Sequence, residues 1–102
     1  MPIIIARLTP VQGRLQDVLD VYAATVPEIH EEQGCELFSV QHDGSTVFIV
    51  ERWATPLDLK AHATGPVFAR IGSALKGLVS GRADIWQVEN VPFGDPAKGS
   101  IA

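Results

Sequence analysis

The segment 46–53 is the feature that most restricts the fold of this 102-residue chain. As a β-strand it places alternate side chains on opposite faces. One face carries Val47, Ile49, Glu51 and Trp53, and the other carries Phe48, Val50 and Arg52. Both faces are apolar over much of their length, which is typical of a sheet that is covered on both sides. One layer of helices covers only one face, so we expect a second copy of the chain to cover the other.

Composition restricts the partners of the chain. The net charge is -4, so we expect no surface for nucleic acid or for an anionic membrane. No apolar run approaches the roughly 20 residues of a membrane helix. The N terminus lacks the positive charge of a signal peptide, and the single Cys35 suits a reducing cytoplasm. A chain this short buries little apolar surface in its own core. Because 46% of its residues are hydrophobic, we expect exposed apolar patches, which predict a homodimer.

Four segments have the apolar, β-branched composition of strands. They are residues 3–8, 35–42, 46–53 and 83–91. The dipeptide Asp43-Gly44 lies between the second and third segments and is a strong signal for a two-residue hairpin.

Capping residues mark the helices between these strands. Thr9 and Pro10 have the pattern of a helix start, and Gly34 is a natural stop, so the first helix is expected between them. Thr55 is expected to cap a second helix. This helix is interrupted at residues 64–66, and a third is expected over 67–79.

The resulting order is strand, helix, strand, strand, helix pair, strand. This is the split βαβ pattern, an α+β architecture with an antiparallel sheet and helices on one face. We place the domain at residues 1–91. The tail, residues 92–102, is rich in turn residues, and we expect it to lie on a partner subunit or to be loose.

The chain lacks the usual catalytic signatures. It has no glycine-rich phosphate loop, no serine nucleophile elbow and no clustered Cys/His spacing for a metal. Its histidines, His30, His42 and His62, lie in three separate elements. This is compatible with an enzyme whose substrate carries most of the reactivity.

Three short motifs together resemble the antibiotic biosynthesis monooxygenase domain family, and in particular its quinol monooxygenase-like members. They are Glu31 to Leu37, Val50 to Trp53, and Leu59 to His62 with Phe68 six residues further on. The resemblance covers residues 1 to 91 in order and spacing. It implies a ferredoxin-like fold that pairs through its sheets into a dimeric α+β barrel. It also implies oxygenation of a dihydroxyaromatic substrate by dioxygen, without flavin, haem or metal.

The chain departs from two branches of that family. Haem-degrading members carry an Asn on the first strand, a Trp in the second helix and a haem-ligating His further on. The matching positions here are Ala6, His62 and Gly72, so we do not expect haem cleavage. The Asn of some polyketide-oxidising members corresponds to Ile49.

Two residues are the main candidates for chemistry. His62 can act as the general base, because imidazole titrates near neutrality; alternatively, a backbone carbonyl or water satisfies it. Trp53 can stack on a flat substrate; alternatively, it is a core or interface residue. Glu51 shares a face with Trp53 and can orient His62, although a salt bridge is the more common role.

Further residues are candidates for a substrate-binding wall, with core packing as the alternative. They are Ile49, Leu59, Phe68 and Tyr22. We read Arg52 as a dimer-contact residue and Cys35 as a small buried hydrophobe. The acidic residues between positions 28 and 36, including Glu32, are expected to be a solvated stretch.

The leading hypothesis is therefore a cofactor-independent monooxygenase that acts on a quinol or a polycyclic phenol with dioxygen. Two alternatives stay open at this point. One is a non-catalytic dimeric protein that binds an aromatic metabolite, and the other is a polyketide or lactone isomerase-cyclase on the same fold.

Overall fold

A four-stranded antiparallel sheet with three helices makes up the computed structural model, which describes residues 1–101. The strands are β1 (Ile3–Leu8), β2 (Cys35–His42), β3 (Val47–Trp53) and β4 (Asp84–Val88). The helices are α1 (Leu15–His30), α2 (Pro56–Ala63) and α3 (Pro66–Ala74). The sheet order is β2-β3-β1-β4, with every neighbouring pair antiparallel. This confirms the predicted α+β, ferredoxin-like arrangement.

The inner face of the sheet packs against the helices. On β3 it carries Val47, Ile49, Glu51 and Trp53, all of which are buried. The antiparallel register places Ala6 opposite Ile49 and Leu8 opposite Val47. Except for Glu51, these side chains form one apolar cluster with residues of α1 and α3, namely Val18, Tyr22, Ile29 and Ile71. The predicted alternation of β3 is therefore confirmed.

The outer face of the sheet is apolar but incompletely covered. It carries Ile5, Phe48, Val50 and Trp86, which the register places on neighbouring strands. Ile5, Phe48 and Val50 are half-buried, and Trp86 is 47% exposed. A homodimer through this face stays a prediction. Within residues 1–101, no helix is long and apolar enough to cross a membrane.

The first helix starts later than predicted. It begins at Leu15, and the expected cap at Thr9 is wrong. The carbonyl of Thr9 accepts a hydrogen bond from the backbone N–H of Ser80 at 2.7 Å. Gly13 then adopts φ +83°, a left-handed conformation that interrupts a right-handed helix. Long-range pairing with the segment after α3 therefore replaces the first predicted turn.

Two further boundaries differ from the prediction. α3 ends at Ala74 rather than at residue 79, because residues 78–80 are engaged with the segment 9–11. β4 is limited to Asp84–Val88 instead of 83–91, which matches the part of β1 that it faces.

The capping of α2 agrees with the sequence. Thr55 Oγ1 accepts a hydrogen bond from the Asp58 backbone N–H at 3.1 Å and donates to Asp58 Oδ2 at 2.9 Å. Pro56 occupies the first turn. These contacts fix the start of the helix that carries His62.

The described part of the tail returns to its own protomer. The Arg52 guanidinium and the Asn90 side-chain amide both donate to the carbonyl of Ile101. The boundary between a domain at 1–91 and a tail at 92–102 stays a prediction, as does a contact of the tail with a partner subunit. Ala102 lies outside the described residues.

Candidate functional site

His62 is the buried residue of α2, and aromatic rings surround it. Its side chain is 4% exposed. The indole of Trp53 stacks on the imidazole at a centroid distance of 4.6 Å. Phe38 and Phe68 approach it edge-on at 5.9 and 5.5 Å. The ring therefore has a single, tightly restricted orientation.

Two carboxylates approach the two ring nitrogens of His62. Glu32 Oε1 lies 2.7 Å from Nδ1, and Glu51 Oε1 lies 3.9 Å from Nε2. A nitrogen at 2.7 Å from a carboxylate oxygen donates a hydrogen bond, so the ring proton is assigned to Nδ1. Nε2 then carries the free lone pair of the neutral ring, on the side of Glu51.

The carboxyl group of Glu51 is buried and accepts a hydrogen bond from the indole of Trp53. Trp53 Nε1 donates to Glu51 Oε1 at 3.0 Å. Burial raises the pKa of Glu51, and this effect exceeds the lowering by the Trp53 hydrogen bond and by His62. Burial has this sign because a low-dielectric environment disfavours the charged form. The neutral acid, which can donate a hydrogen bond, is thus favoured more than in a solvated glutamate.

A cavity of about 150 Å³ lies between the inner face of the sheet and the helices α1 and α3. Its wall is apolar except for three side chains, those of Tyr22, Glu51 and His62. The other lining residues are Ala6, Leu8, Phe38, Ile49, Phe68, Ile71, Gly72, Leu75, Ala83 and Ile85. Phe68 and Ile85 are partly exposed, so they mark the side on which the cavity meets solvent.

Tyr22 contributes a neutral hydroxyl to this cavity. Burial and the nearby Glu51 raise the pKa of Tyr22 to about 12. Its phenol therefore stays protonated at neutral pH. It can donate or accept a hydrogen bond but does not compete with His62 as a base.

The structure brings most of the predicted site residues to this one cavity. His62, Glu51, Ile49, Phe68 and Tyr22 all line it. Two others do not reach its wall.

Trp53 and Leu59 are the candidates that the cavity wall omits. Trp53 is 0% exposed and packs behind His62, so in this conformation a bound ring cannot stack on it. Leu59 is a partly buried residue packed against the core. The geometry gives Trp53 a supporting position, holding both the imidazole and the Glu51 carboxyl.

Glu32 was not among the predicted site residues. The expectation of a fully solvated acidic stretch is wrong for this residue, whose side chain is only 21% exposed and bonded to His62. The pairing of Cys35 with Trp53 brings the end of α1 beside the end of β3. Glu32 lies three residues before β2 begins at Cys35, and this position is the only sequence signal that could have pointed to it.

Among residues 1–101, no group of three His, Cys, Asp or Glu side chains is arranged to hold a metal ion. The three positions that depart from the haem-degrading members, Ala6, His62 and Gly72, all lie on the cavity wall.

Solved structures share this fold. A structure described as antibiotic biosynthesis monooxygenase aligns with a TM-score of 0.82 at 19% identity, covering 90% of this chain and 100% of its own. A Mycobacterium tuberculosis protein aligns with a TM-score of 0.81 at 17% identity, covering 89% and 96%. A Methanosarcina mazei protein described as conserved aligns at 0.80 with 17% identity, covering 85% and 89%.

Sequence comparison gives the family itself. No protein with a curated description matches the chain. The sequence profile of the family described as antibiotic biosynthesis monooxygenase matches residues 1–72, which include α1, β3, α2 and most of the cavity wall. The chain belongs to the antibiotic biosynthesis monooxygenase family.

Proposed function

We propose that this protein is a cofactor-independent monooxygenase that oxidises a single-ring hydroquinone with dioxygen. The observation that carries the proposal is a buried histidine with a free Nε2, set in the wall of an apolar cavity. Family membership supports the reaction class.

The size of the cavity favours one aromatic ring over a polycyclic phenol. Apolar cavities of about 150 Å³ bind benzene, whereas sites for drug-sized ligands are roughly 300–1,000 Å³. The present cavity is about 150 Å³. A larger substrate would have to displace the side chains at the solvent side, such as Phe68.

A hydroxyl group of the ring has a natural anchor in this cavity. Nε2 of His62 and Oε1 of Glu51 are 3.9 Å apart. One oxygen atom can lie about 2.8 Å from both, which is ordinary hydrogen-bond distance. In this position the hydroxyl donates to Nε2, and its oxygen lies within hydrogen-bond distance of Glu51 Oε1.

The chemistry begins with proton transfer. The hydroxyl O–H bond breaks, its proton moves to Nε2, and the hydroquinone becomes an electron-rich phenolate. The phenolate passes one electron to dioxygen, and the radical pair recombines to form a carbon–oxygen bond ortho to the phenolate oxygen. His62 returns its proton to the peroxide. Loss of the ring C–H proton and cleavage of the O–O bond then release water and leave a hydroxyquinone.

Oxygen uptake with a matched pair of histidine variants tests the proposal. Wild type, His62→Gln and the control His42→Gln, which alters an exposed hairpin residue, are compared with a hydroquinone and a naphthohydroquinone. A positioned base contributes about 10²–10⁴-fold. We therefore expect kcat to fall by about that factor in His62→Gln alone, with the hydroquinone as the better substrate.

Three outcomes would contradict the proposal. Equal rates for wild type and His62→Gln would remove the base from the reaction. Ligand retention without oxygen consumption would indicate a binding protein, and turnover under nitrogen would indicate an isomerase or cyclase.

The outer face of the sheet supports a homodimer as part of the proposal. Trp86 lies there with Ile5 and Val50, and an exposed apolar face of this kind is typical of a protein interface. Light scattering should give twice the protomer mass of 11.0 kDa. Trp86→Glu should shift the protein toward the protomer mass, and a wild type of about 11 kDa would refute the pairing.

A further inference from the structure

We propose that Glu32 is a positioning residue that holds the catalytic tautomer of His62 and balances the charge of its protonated form. The inference rests on the proposed function, because it assigns a role in the same proton transfer. The paired groups are 2.7 Å apart and 30 residues apart in sequence.

The backbone fixes Glu32 at the end of α1. Its N–H donates to the carbonyl of Ile29 at 3.0 Å, and its own carbonyl accepts from the N–H of Cys35 at 3.2 Å. Both backbone groups are therefore engaged where the chain passes from α1 into β2. The side chain extends from this anchored position to Nδ1 of His62.

The hydrogen bond to Glu32 decides which nitrogen can act as the base. With the proton on Nδ1, the lone pair lies on Nε2, the nitrogen nearer to Glu51 and the cavity. Without Glu32, the proton can instead lie on Nε2, on the side of Glu51, which would leave the base facing away from the substrate. A carboxylate that orients an imidazole in this way is the arrangement of the serine protease triad.

The two carboxyl groups at His62 have different surroundings. Glu51 is buried, which raises its pKa and disfavours its charge. Glu32 remains 21% exposed, so water still solvates its charge. Glu32 is therefore the group suited to face the imidazolium that forms when His62 accepts the substrate proton. Glu51 is less suited to that role, because burial disfavours its charged form.

Three variants separate positioning from charge. Glu32→Ala removes both the hydrogen bond and the charge. Glu32→Gln keeps an acceptor oxygen for Nδ1–H but removes the charge, and Glu32→Asp restores the charge on a shorter side chain. Glu31→Gln, at an exposed neighbouring residue, is the matched control.

The first readout needs no turnover. The ¹⁵N shifts of the His62 ring should show the proton on Nδ1 in wild type, Glu31→Gln and Glu32→Gln, and a shift toward Nε2–H in Glu32→Ala. An unchanged Nδ1–H tautomer in a folded Glu32→Ala would overturn the positioning role, whether or not the protein consumes oxygen. Should Glu32→Ala fail to fold, wild-type protein with the proton on Nε2 would refute the assignment equally.

The second readout is the division between kcat and KM. We expect kcat to fall by about 10²-fold or more in Glu32→Ala and by at least about tenfold in Glu32→Gln, with partial recovery in Glu32→Asp. KM should change by less than about threefold, because Glu32 does not touch the cavity. Wild-type kcat in Glu32→Gln would overturn the charge-balancing role. Absence of oxygen uptake in wild type would instead refute the proposed function and leave the tautomer result standing.

Discussion

Replacement of Gly34 by alanine should destabilise the protein and displace the helix that carries His62. Gly34 adopts φ +80° between α1 and β2, a conformation that L-residues reach at a cost of about 1–2 kcal/mol. A Cβ atom there would lie 2.6 Å from Cβ of Asp58 and closer still to the Asp58 carboxyl group. The added methyl would therefore push against the first turn of α2.

The size of the effect follows from two terms. The backbone term is about 1–2 kcal/mol. Displacement of Asp58 breaks its reciprocal contacts with Thr55, and loss of a helix cap costs about 1 kcal/mol. Together they predict a loss of about 2–3 kcal/mol in the free energy of unfolding.

Gly13 provides the matched control for this prediction. It has nearly the same conformation, φ +83°, but a Cβ atom there would meet no atom within 4 Å among residues 1–101. Gly13→Ala should lose only the backbone term. Urea denaturation should therefore place Gly34→Ala about 1 kcal/mol below Gly13→Ala, or about 4–8 °C lower in Tm. Equal stability of the two variants would refute the close approach of Gly34 to α2.

Three further substitutions test the surroundings of the cavity. Glu51→Gln removes a carboxyl group whose pKa is raised by burial above its ordinary value of 4.5. The native state therefore binds this proton more tightly than the unfolded state does, so the stability of wild type should fall as pH rises from about 4.5 through the raised pKa. Urea denaturation across this pH range should show the free energy of unfolding of Glu51→Gln rising relative to wild type by about 1.4 kcal/mol per unit of pKa shift. A stability difference that does not change with pH would contradict the shift. Trp53→Phe removes the hydrogen-bond donor to Glu51 Oε1 and should lower the free energy of unfolding by about 2–3 kcal/mol. It should also lower kcat with little change in KM, whereas a selective rise in KM would indicate direct substrate contact. Gly72→Ala adds a methyl group that meets no atom within 4 Å in the described chain and should raise thermal stability by up to about 1 kcal/mol through helix propensity, whereas destabilisation would show that the space beside α3 is filled.

Features set by neighbouring residues could be predicted from the sequence. The two faces of β3 follow from strict alternation, and the start of α2 follows from Thr55, Pro56 and Asp58. A hairpin forms where Asp43-Gly44 predicted one, and Asp43 accepts hydrogen bonds from the N–H groups of Ser45 and Thr46. The expected two-residue turn is wrong, however, because His42 pairs with Val47 and leaves residues 43–46 between the strands. Each of these features is decided within a few residues.

Features set by distant pairing could not be predicted. Thr9 and Pro10 have the residue types of a helix start, but the bonds to residues 78–80 override that preference. Glu32 looks like one more surface acid until β2 pairs with β3 and brings it to His62. The alternation of β3 predicts the face on which Trp53 lies but not how deeply its ring is buried. That the indole stacks behind the His62 imidazole is visible only in the folded structure.

A crystal structure of the protein soaked anaerobically with hydroquinone would test the central claim most directly, because dioxygen is then unable to consume the ligand. The account predicts one ring in the cavity beside Tyr22 and Ile71, with a hydroxyl oxygen about 2.8 Å from both His62 Nε2 and Glu51 Oε1. A ring bound elsewhere, or one whose hydroxyls do not contact His62 and Glu51, would contradict it.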